Sequence, residues 1–290
     1  MPLDEQRLQK SVRKLRKFLK KVRKQPTPDE IHDFRTHSRR LEATLDALAM
    51  KERRNERRLL QDLSRLRKRA GKIRDMDVLT GCAASVQVQG EQDCAVQLLE
   101  RLGAERYRQA SKMRILVKNH GADLRRRLKR SAARLEMLVG QMQKNAADNK
   151  PRPPFDAMAV AFQLSSDLRT PARLSRGNLH PYRLKVKQLR YVLQMSAAAD
   201  HQQFVDKLGQ VKDAIGEWHD WEELLGIAAE VLDHGRNCKF LQELKVLCNE
   251  KFQQALSLAN GMRQAYLPAR SNQRLARPVV NAASAIGDGA

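Results

Sequence analysis

The sequence is poor in aromatic residues, in cysteine and in long apolar runs. Phe, Tyr and Trp make up 4% of the 290 residues, which is too few to stack many unpaired bases. The four cysteines form no Cys-x-x-Cys pair and no cluster with zinc spacing, so we expect free thiols, no metal site and no cofactor; they are Cys82, Cys94, Cys238 and Cys248. No stretch resembles a membrane span or a signal peptide, so we predict a cytoplasmic protein without membrane insertion.

Acidic residues are also scarce relative to basic ones. The chain has 56 Lys and Arg against 33 Asp and Glu, a formal net charge of +23. Most of this excess lies in the first half of the chain. A large positive net charge attracts polyanions, so the expected partners are nucleic acid, polyphosphate or an acidic membrane surface. A hydrophobic fraction of 41% excludes a wholly disordered chain.

Strand signals are nearly absent, whereas helical spacing recurs along the chain. One apolar helix face is predicted by residues that step by four, three, four and three positions: Leu8, Val12, Leu15, Leu19 and Val22. Prolines fall almost entirely between such segments. We therefore predict an all-α protein.

The sequence Thr27-Pro28-Asp29-Glu30 has the pattern of a capping box, with Thr27 as the N-cap and Glu30 reaching back to it. A helix is expected from there to about Met50. Further helices are expected over about 54–86, 91–118 and 121–145, then from near Phe155, after Asn178, and from about Asp200 to Tyr266.

An internal repeat divides the chain. The segment from Ile31 to Arg35 aligns with the segment from Leu179 to Arg183, 148 residues later, and Gly71 aligns with Gly216 at nearly the same offset. Two blocks in the same order predict two similar helical bundles that face each other. The expected boundaries are 7–145 for the first bundle, 146–154 for a linker, 155–266 for the second bundle and 267–290 for a loose tail.

Basic residues fall on one helix face in both copies of the first block. At 100° per residue, His32, Arg35 and Arg39 lie within one narrow stripe. The second copy repeats this stripe with His180, Arg183, Lys187 and Arg190. A row of like charges destabilises a helix, so the pattern favours an anionic ligand lying against it, such as a run of phosphates.

The second block adds basic pairs spaced seven residues apart, again on one face. These pairs are Arg67 with Arg74, and Lys212 with His219. Gly71 and Gly216 lie between them, and a glycine inside a helix is typical of a place where another backbone comes close. Asp75 and Asp220 are expected to orient the neighbouring basic groups.

Other features have simpler interpretations. The runs Arg125–Arg127 and Arg53–Arg58 are typical of solvated helix faces, and we leave them out of the predicted site. Trp218 and Trp221, three residues apart, are expected to pack in the core. Histidine gains positive charge as the pH falls below neutrality, so contacts of His32 and His180 with an anion should strengthen there.

The two blocks resemble the CHAD family, the conserved histidine α-helical domain. The resemblance covers about Arg7 to Tyr266 and rests on four motifs in the family's order. These are His32-x-x-Arg35-x-x-x-Arg39-Arg40-Leu41, Ile73-Arg74-Asp75-Met76-Asp77-Val78-Leu79, His180-x-x-Arg183-x-x-x-Lys187-Gln188-Leu189-Arg190-Tyr191, and Ile215-Gly216-Glu217-Trp218-His219-Asp220.

This resemblance implies two helical bundles related by pseudo-twofold symmetry around a basic central cleft, binding of inorganic polyphosphate, and localisation to polyphosphate granules. The sequence departs from the repeat where Glu42 occupies the position of Arg190, and where Gln188 occupies that of Arg40. Some family members carry a catalytic triphosphate-tunnel domain with a Glu-x-Glu-x-Lys strand. We find no such strand, which favours a binding module without a hydrolase.

We therefore predict a non-enzymatic protein that binds inorganic polyphosphate, and other polyanions by the same charges, without a metal of its own. The predicted binding residues are His32, Arg35, Arg39, Arg67, Arg74, His180, Arg183, Lys187, Arg190, Lys212 and His219. A nucleic-acid-binding protein is the alternative, since the net charge would serve DNA or RNA as well. A metal-dependent phosphohydrolase is a third hypothesis, suggested only by the dipeptides His32-Asp33 and His219-Asp220.

Overall fold

A computed structural model describes residues 5–47, 50–145, 157–195, 201–233 and 237–267 of the chain. Over these ranges it contains eight α-helices and no strand, which confirms the all-α prediction. They are α1 (Glu5–Lys20), α2 (Pro28–Ala47), α3 (Arg54–Ser85), α4 (Gln92–Asn145), α5 (Ala157–Arg169), α6 (Arg176–Met195), α7 (Gln202–Val231) and α8 (Lys239–Tyr266). The predicted linker 146–154 and the tail beyond residue 267 lie outside the described residues.

The N-termini of α2 and α6 carry equivalent caps. The backbone N–H of Thr27 donates to the Glu30 carboxylate over 2.9 Å, and the Glu30 N–H donates to Thr27 Oγ1 over 3.2 Å. This confirms the predicted capping box. At the equivalent position of the repeat, the Ser175 N–H donates to Asn178 Oδ1 over 2.8 Å. This cap makes α6 begin at Arg176, so the prediction that it starts after Asn178 was late by one turn.

A single 54-residue helix, α4, replaces the two helices expected over 91–118 and 121–145. That prediction was wrong because Gly121 does not end the helix. A Cβ atom on Gly121 would lie 3.4 Å from the carbonyl oxygen of Leu19. Arg125 donates to the same carbonyl over 2.8 Å. The glycine thus admits the C-terminal turn of α1 against a continuous helix.

The described chain divides into two compact units. The first comprises residues within 1–155 and 216–252, and the second comprises residues within 156–215 and 253–290. α7 and α8 therefore each contribute one part to each unit. The sequence repeats 7–145 and 155–266, and their pseudo-symmetry, stay predictions.

In the first unit, α1 to α4 close a four-helix bundle. α1 packs against α2 and α4, α2 packs against α3, and α3 packs against α4. The predicted apolar face of α1 is buried at Val12, Leu15 and Leu19; α1 ends before the half-buried Val22, and the side chain of Leu8 lies outside the described part. The rings of Phe18 and Phe34 stack between α1 and α2 with centroids 4.7 Å apart.

Tryptophans support the part of α7 that belongs to the first unit. Trp218 is fully buried and Trp221 is 6% exposed, which confirms that both pack in the core. Trp218 packs against Phe252 of α8 with ring centroids 5.5 Å apart. In the second unit, α5 packs against α6.

Candidate anion-binding site

The first unit contains a basic pocket between α2 and α3. Its volume is about 250 Å³, and four of its side chains are cationic; the lining is Arg35, Arg39, Ser64, Arg67, Lys68 and Gly71. The pocket brings together three of the predicted residues, Arg35, Arg39 and Arg67. The sequence reasoning missed Ser64 and Lys68, although Ser64, Arg67, Lys68 and Gly71 have the i, i+3, i+4, i+7 spacing of one helix face.

The surroundings of Arg35 disfavour its positive charge. Burial lowers its pKa, and the charges of Arg39, Arg74 and Arg67 lower it further, with the Asp75 carboxylate opposing them. The positive potential at this point therefore disfavours a further positive charge. An anion placed among these guanidinium groups would relieve the repulsion.

Gly71 makes room for Arg35. A Cβ atom on Gly71 would lie 2.8 Å from Arg35 Nη1. The expectation that another backbone approaches this glycine was wrong, because the group that crosses α3 here is a guanidinium. The absence of a side chain at position 71 thus lets the Arg35 guanidinium lie against α3 in the pocket.

Two residues of α2 hold the Arg67 side chain. Its Nη1 donates to the Ser38 carbonyl over 3.3 Å and to Ser38 Oγ over 3.1 Å. Its Nη2 lies 2.8 Å from the carboxylate of Glu42, and its side chain is 14% exposed. Arg67 therefore links α3 to α2, and the acidic residue that replaces the repeat's Arg190 offsets part of its charge.

Arg74, Asp75 and His219 form a second group in the first unit. Arg74 Nη1 lies 3.9 Å from the Asp75 carboxylate. Burial raises the pKa of Asp75, while the charges of Arg35, Arg74 and His219 oppose that rise. Burial also raises the pKa of Glu223, with Asp75 adding to the effect. His219 thus belongs with the first unit although it follows Lys212 on α7, and an acidic residue moderates the charge beside it.

His32 and its neighbour Asp33 lie outside the basic pocket. The His32 ring is exposed, and its Nε2 lies 3.4 Å from Thr36 Oγ1. The Asp33 carboxylate accepts a hydrogen bond from Lys14 over 3.0 Å, which lowers the pKa of Asp33. His32 therefore does not line the basic pocket, and its exposed ring is accessible to an anion from solvent.

The second unit places α6 beside the first part of α7 through comparable contacts. Arg183 Nε donates to the Lys212 carbonyl over 3.0 Å, and the Lys212 ammonium lies 2.6 Å from Asp213. The Arg190 guanidinium packs against Gly209, where a Cβ atom would lie 3.4 Å from Nε. Arg35 thus lies near Arg67, and Arg183, the counterpart of Arg35 in the repeat, lies beside Lys212, the counterpart of Arg67.

Two further predicted residues lie on α6. His180 is half-buried. Lys187 Nζ lies 5.8 Å from the centroid of the Tyr191 ring, within the range of a cation–π contact. Lys187 as a whole is half-buried.

A second basic pocket in the first unit includes four arginines of the charge runs that the sequence analysis left out of the site. Its volume is about 640 Å³, and its lining is Arg53, Arg54, Asn55, Arg58, Arg127, Arg130 and Arg134. We call it the arginine pocket. It joins the start of α3 to α4, whereas the pocket of Arg35 joins α2 to α3. Arg53, Arg54 and Arg58 are exposed, as expected for a solvated helix face, and together with Arg127 they also line this cavity.

The comparisons with known proteins identify the family. A family model for the CHAD domain matches residues 6–229. The chain belongs to the CHAD family. The match includes both basic blocks and ends within α7, before α8. No curated protein and no solved structure matches the chain. Among the described residues, no helix of this CHAD protein has the length and apolar character to cross a membrane.

Proposed function

We propose that this CHAD protein binds inorganic polyphosphate at polyphosphate granules without catalysing a reaction. CHAD domains in general bind polyphosphate, and this chain carries the family's basic residues in both repeats. Arginines in the pocket can each offer two parallel donors to phosphate oxygens, while lysines act as point charges. The cleft expected between the two repeats stays a prediction.

The crowding of cations around Arg35 is the observation that carries the proposal. Four basic side chains line one small pocket, and burial, together with the charges of neighbouring arginines, lowers the pKa of Arg35. Such a cluster costs free energy in the free protein. A linear polyanion with one charge on every phosphate unit would recover that cost over several adjacent side chains.

A charge-removal variant tests the proposal. Arg35→Ala, Arg183→Ala and Lys187→Ala together should weaken the binding of a long polyphosphate by at least about tenfold, or about 1.4 kcal/mol. The variant should also show a shallower dependence of affinity on salt, because fewer counterions are released. Fluorescence anisotropy with labelled polyphosphate at several salt concentrations gives both quantities, and circular dichroism checks helicity.

A matched variant separates the site from the net charge. Arg13, Arg114 and Lys118 are exposed, so replacing all three by alanine removes the same charge elsewhere. This variant should lose less than about threefold in affinity. Equal losses in the two variants would mean that binding follows overall charge, and the proposed site would be rejected.

Competition distinguishes polyphosphate from nucleic acid. Duplex DNA and RNA are added to the labelled complex at equal phosphate concentration and moderate salt. Polyphosphate should displace the label at a far lower phosphate concentration than either nucleic acid. Equal displacement would favour the nucleic-acid alternative.

An activity assay tests the absence of catalysis. Among the described residues, the dipeptides His32-Asp33 and His219-Asp220 do not take part in a group of three potential metal ligands. Purified protein incubated with polyphosphate and Mg²⁺ or Mn²⁺ should release no phosphate above the buffer control. Release that depends on His32 or His219 would establish a phosphohydrolase instead.

A further inference from the structure

Three potential metal ligands meet where α4 and α8 begin. The Cys94 Sγ, the Cys238 Sγ and a carboxylate oxygen of Glu91 all lie within 4.8 Å of one another. The two cysteines are 2% and 0% exposed. Because Cys238 lies 144 residues after Cys94, their spacing in the sequence gave no sign of this cluster.

The three distances fit the edges of a metal tetrahedron. The two sulfurs are 3.5 Å apart, and the Glu91 Oε2 lies 3.2 Å from the Cys94 sulfur and 3.8 Å from the Cys238 sulfur. Zinc ligands at about 2.3 Å for sulfur and about 2.0 Å for oxygen have edges of about 3.8 Å between sulfurs and about 3.5 Å between sulfur and oxygen. A disulfide would need the sulfurs about 1.5 Å closer.

Backbone groups orient two of the ligands. The Leu241 N–H donates to the Cys238 sulfur over 3.3 Å, and the Lys239 N–H donates to Glu91 Oε1 over 3.3 Å. Such contacts hold metal ligands in place. The other oxygen of Glu91 stays directed at the two sulfurs.

Two helices begin at the cluster. Glu91 directly precedes α4, Cys238 directly precedes α8, and Cys94 lies in the first turn of α4. Gly90, at φ 79°, makes the turn that leads into Glu91. Two thiolates and one carboxylate around a divalent ion carry a net charge of −1. The positive ends of two helix dipoles stabilise that charge.

We propose that Glu91, Cys94 and Cys238 form a Zn²⁺ site with water as the fourth ligand. Binding displaces a proton from each thiol, and no electron is transferred. Sulfur ligands select Zn²⁺ over the harder Mg²⁺. The half-buried Glu91 provides the route by which the ion enters from solvent. This site is independent of polyphosphate binding, so either proposal can fail alone.

Metal titration of the full chain tests the site. The protein is prepared without a histidine tag, stripped of metal and polyphosphate, and kept reduced with a phosphine. Elemental analysis after adding Zn²⁺ and removing the excess should give one zinc per chain. Titration with Co²⁺ should produce a thiolate-to-cobalt charge-transfer band. Absence of that band in the unmodified reduced protein would overturn the proposal without reference to any variant.

Variants assign the ligands. Cys94→Ser and Cys238→Ser should each lower zinc affinity by about 100-fold or more, since loss of a direct ligand exceeds the 10- to 100-fold cost of losing an outer partner. Cys82→Ser removes a half-exposed thiol outside the cluster and should leave affinity unchanged. Equal losses in all three variants would overturn the site. Formation of a Cys94–Cys238 disulfide, with no zinc bound after reduction, would also overturn it.

Discussion

The guanidinium of Arg35 on α2 lies against Gly71 on α3, with Nη1 2.8 Å from the point that a Cβ atom on this glycine would occupy. The missing side chain at position 71 therefore determines how closely a positive charge approaches the pocket floor. Because the contacting atom is at the end of a flexible side chain, Arg35 can move if position 71 grows.

We expect Gly71→Ala to separate stability from binding. Alanine in a helix interior is favoured over glycine by up to about 1 kcal/mol, and Arg35 can yield by changing its rotamer. The free energy of unfolding should stay level or rise. Polyphosphate affinity should fall by about threefold to tenfold, because the displaced charge leaves the pocket. Urea denaturation and anisotropy measure the two effects.

Gly81 provides the matched control on the same helix. A Cβ atom there would meet no other atom within 4 Å, so Gly81→Ala should gain the same helix propensity without changing affinity. If both variants bind polyphosphate as the unmodified protein does, Arg35 does not contribute from its observed position.

Neutralising Asp75 should strengthen anion binding. Its carboxylate lies among Arg35, Arg74 and His219 and partly offsets their charge. Asp75→Asn should tighten polyphosphate binding by about fivefold, or about 1 kcal/mol, as expected for one charge near a protein surface. Glu136→Gln, at an exposed position on α4, makes the same change in net charge and should have little effect. Weaker binding by Asp75→Asn would mean that the carboxylate instead holds the arginines in place.

The buried carboxylate of Glu56 should be important for stability. It is fully buried and accepts hydrogen bonds from Asn55, Ser131 and Arg134 over 3.0 to 3.1 Å. Glu56→Ala leaves these donors without their acceptor and should cost about 3 kcal/mol. Glu56→Gln keeps the shape and one acceptor and should cost less. A loss below about 1 kcal/mol in urea denaturation of Glu56→Ala would show that water replaces the carboxylate.

Acidification should destabilise the first unit through His37. Burial lowers the pKa of His37 from 6.5, with Arg40, Lys14 and Lys10 also lowering it and Asp33 opposing them. As the pH falls, the unfolded state therefore binds a proton at His37 before the folded state does. The stability that depends on neutral His37 is therefore fully present above pH 6.5, and it is lost as the pH falls through the pKa of His37 in the folded state.

Thermal unfolding between pH 7.5 and 5.5 measures this loss, which should reach up to about 1 kcal/mol. His37→Gln keeps a polar group near Ser11, whose Oγ lies 3.1 Å from the His37 ring, but cannot titrate. Its melting temperature should vary less over the same pH range. If the melting temperature of this variant changes with pH as much as that of the unmodified protein, the pH dependence belongs to other groups.

The hydroxyl of Tyr182 should be dispensable for stability. It is buried with no hydrogen-bond partner among the residues that the structure describes, and burial raises its pKa to about 12. The repeat places Phe34 at the equivalent position of α2. Tyr182→Phe should leave stability unchanged or raise it by about 1 kcal/mol. A loss of more than about 1 kcal/mol in chemical denaturation would indicate a bound water at the hydroxyl.

Local signals predicted much of the fold. The cap at Thr27 and the buried face of Leu15 and Leu19 depend on residues within a few positions of one another, so the sequence reveals them. The continuity of α4 does not follow from local sequence. A glycine such as Gly121 can either end a helix or, as here, let a neighbouring carbonyl approach a continuous one. Only the packing of α1 distinguishes the two cases.

The candidate sites divide in the same way. Arg35 and Arg39 were found because a repeat placed basic residues on one face of each copy. Lys68 was missed because it directly follows Arg67, and adjacent residues lie about 100° apart on a helix, so the seven-residue spacing of Arg67 and Arg74 does not indicate that Lys68 lines the same pocket. The approach of Cys94 to Cys238 requires the start of α8 to pack near the start of α4, and no short-range pattern encodes that contact.

The unbroken α4 also acts as a spacer. Cys94 and Arg134 lie 40 residues apart on it, which is about 60 Å at 1.5 Å per residue. A small ligand at the thiol end cannot touch one in the arginine pocket. Fluorescent probes near Cys94 and Arg134 would therefore stay at a fixed separation. A change in energy transfer between them would show that α4 had bent or unfolded.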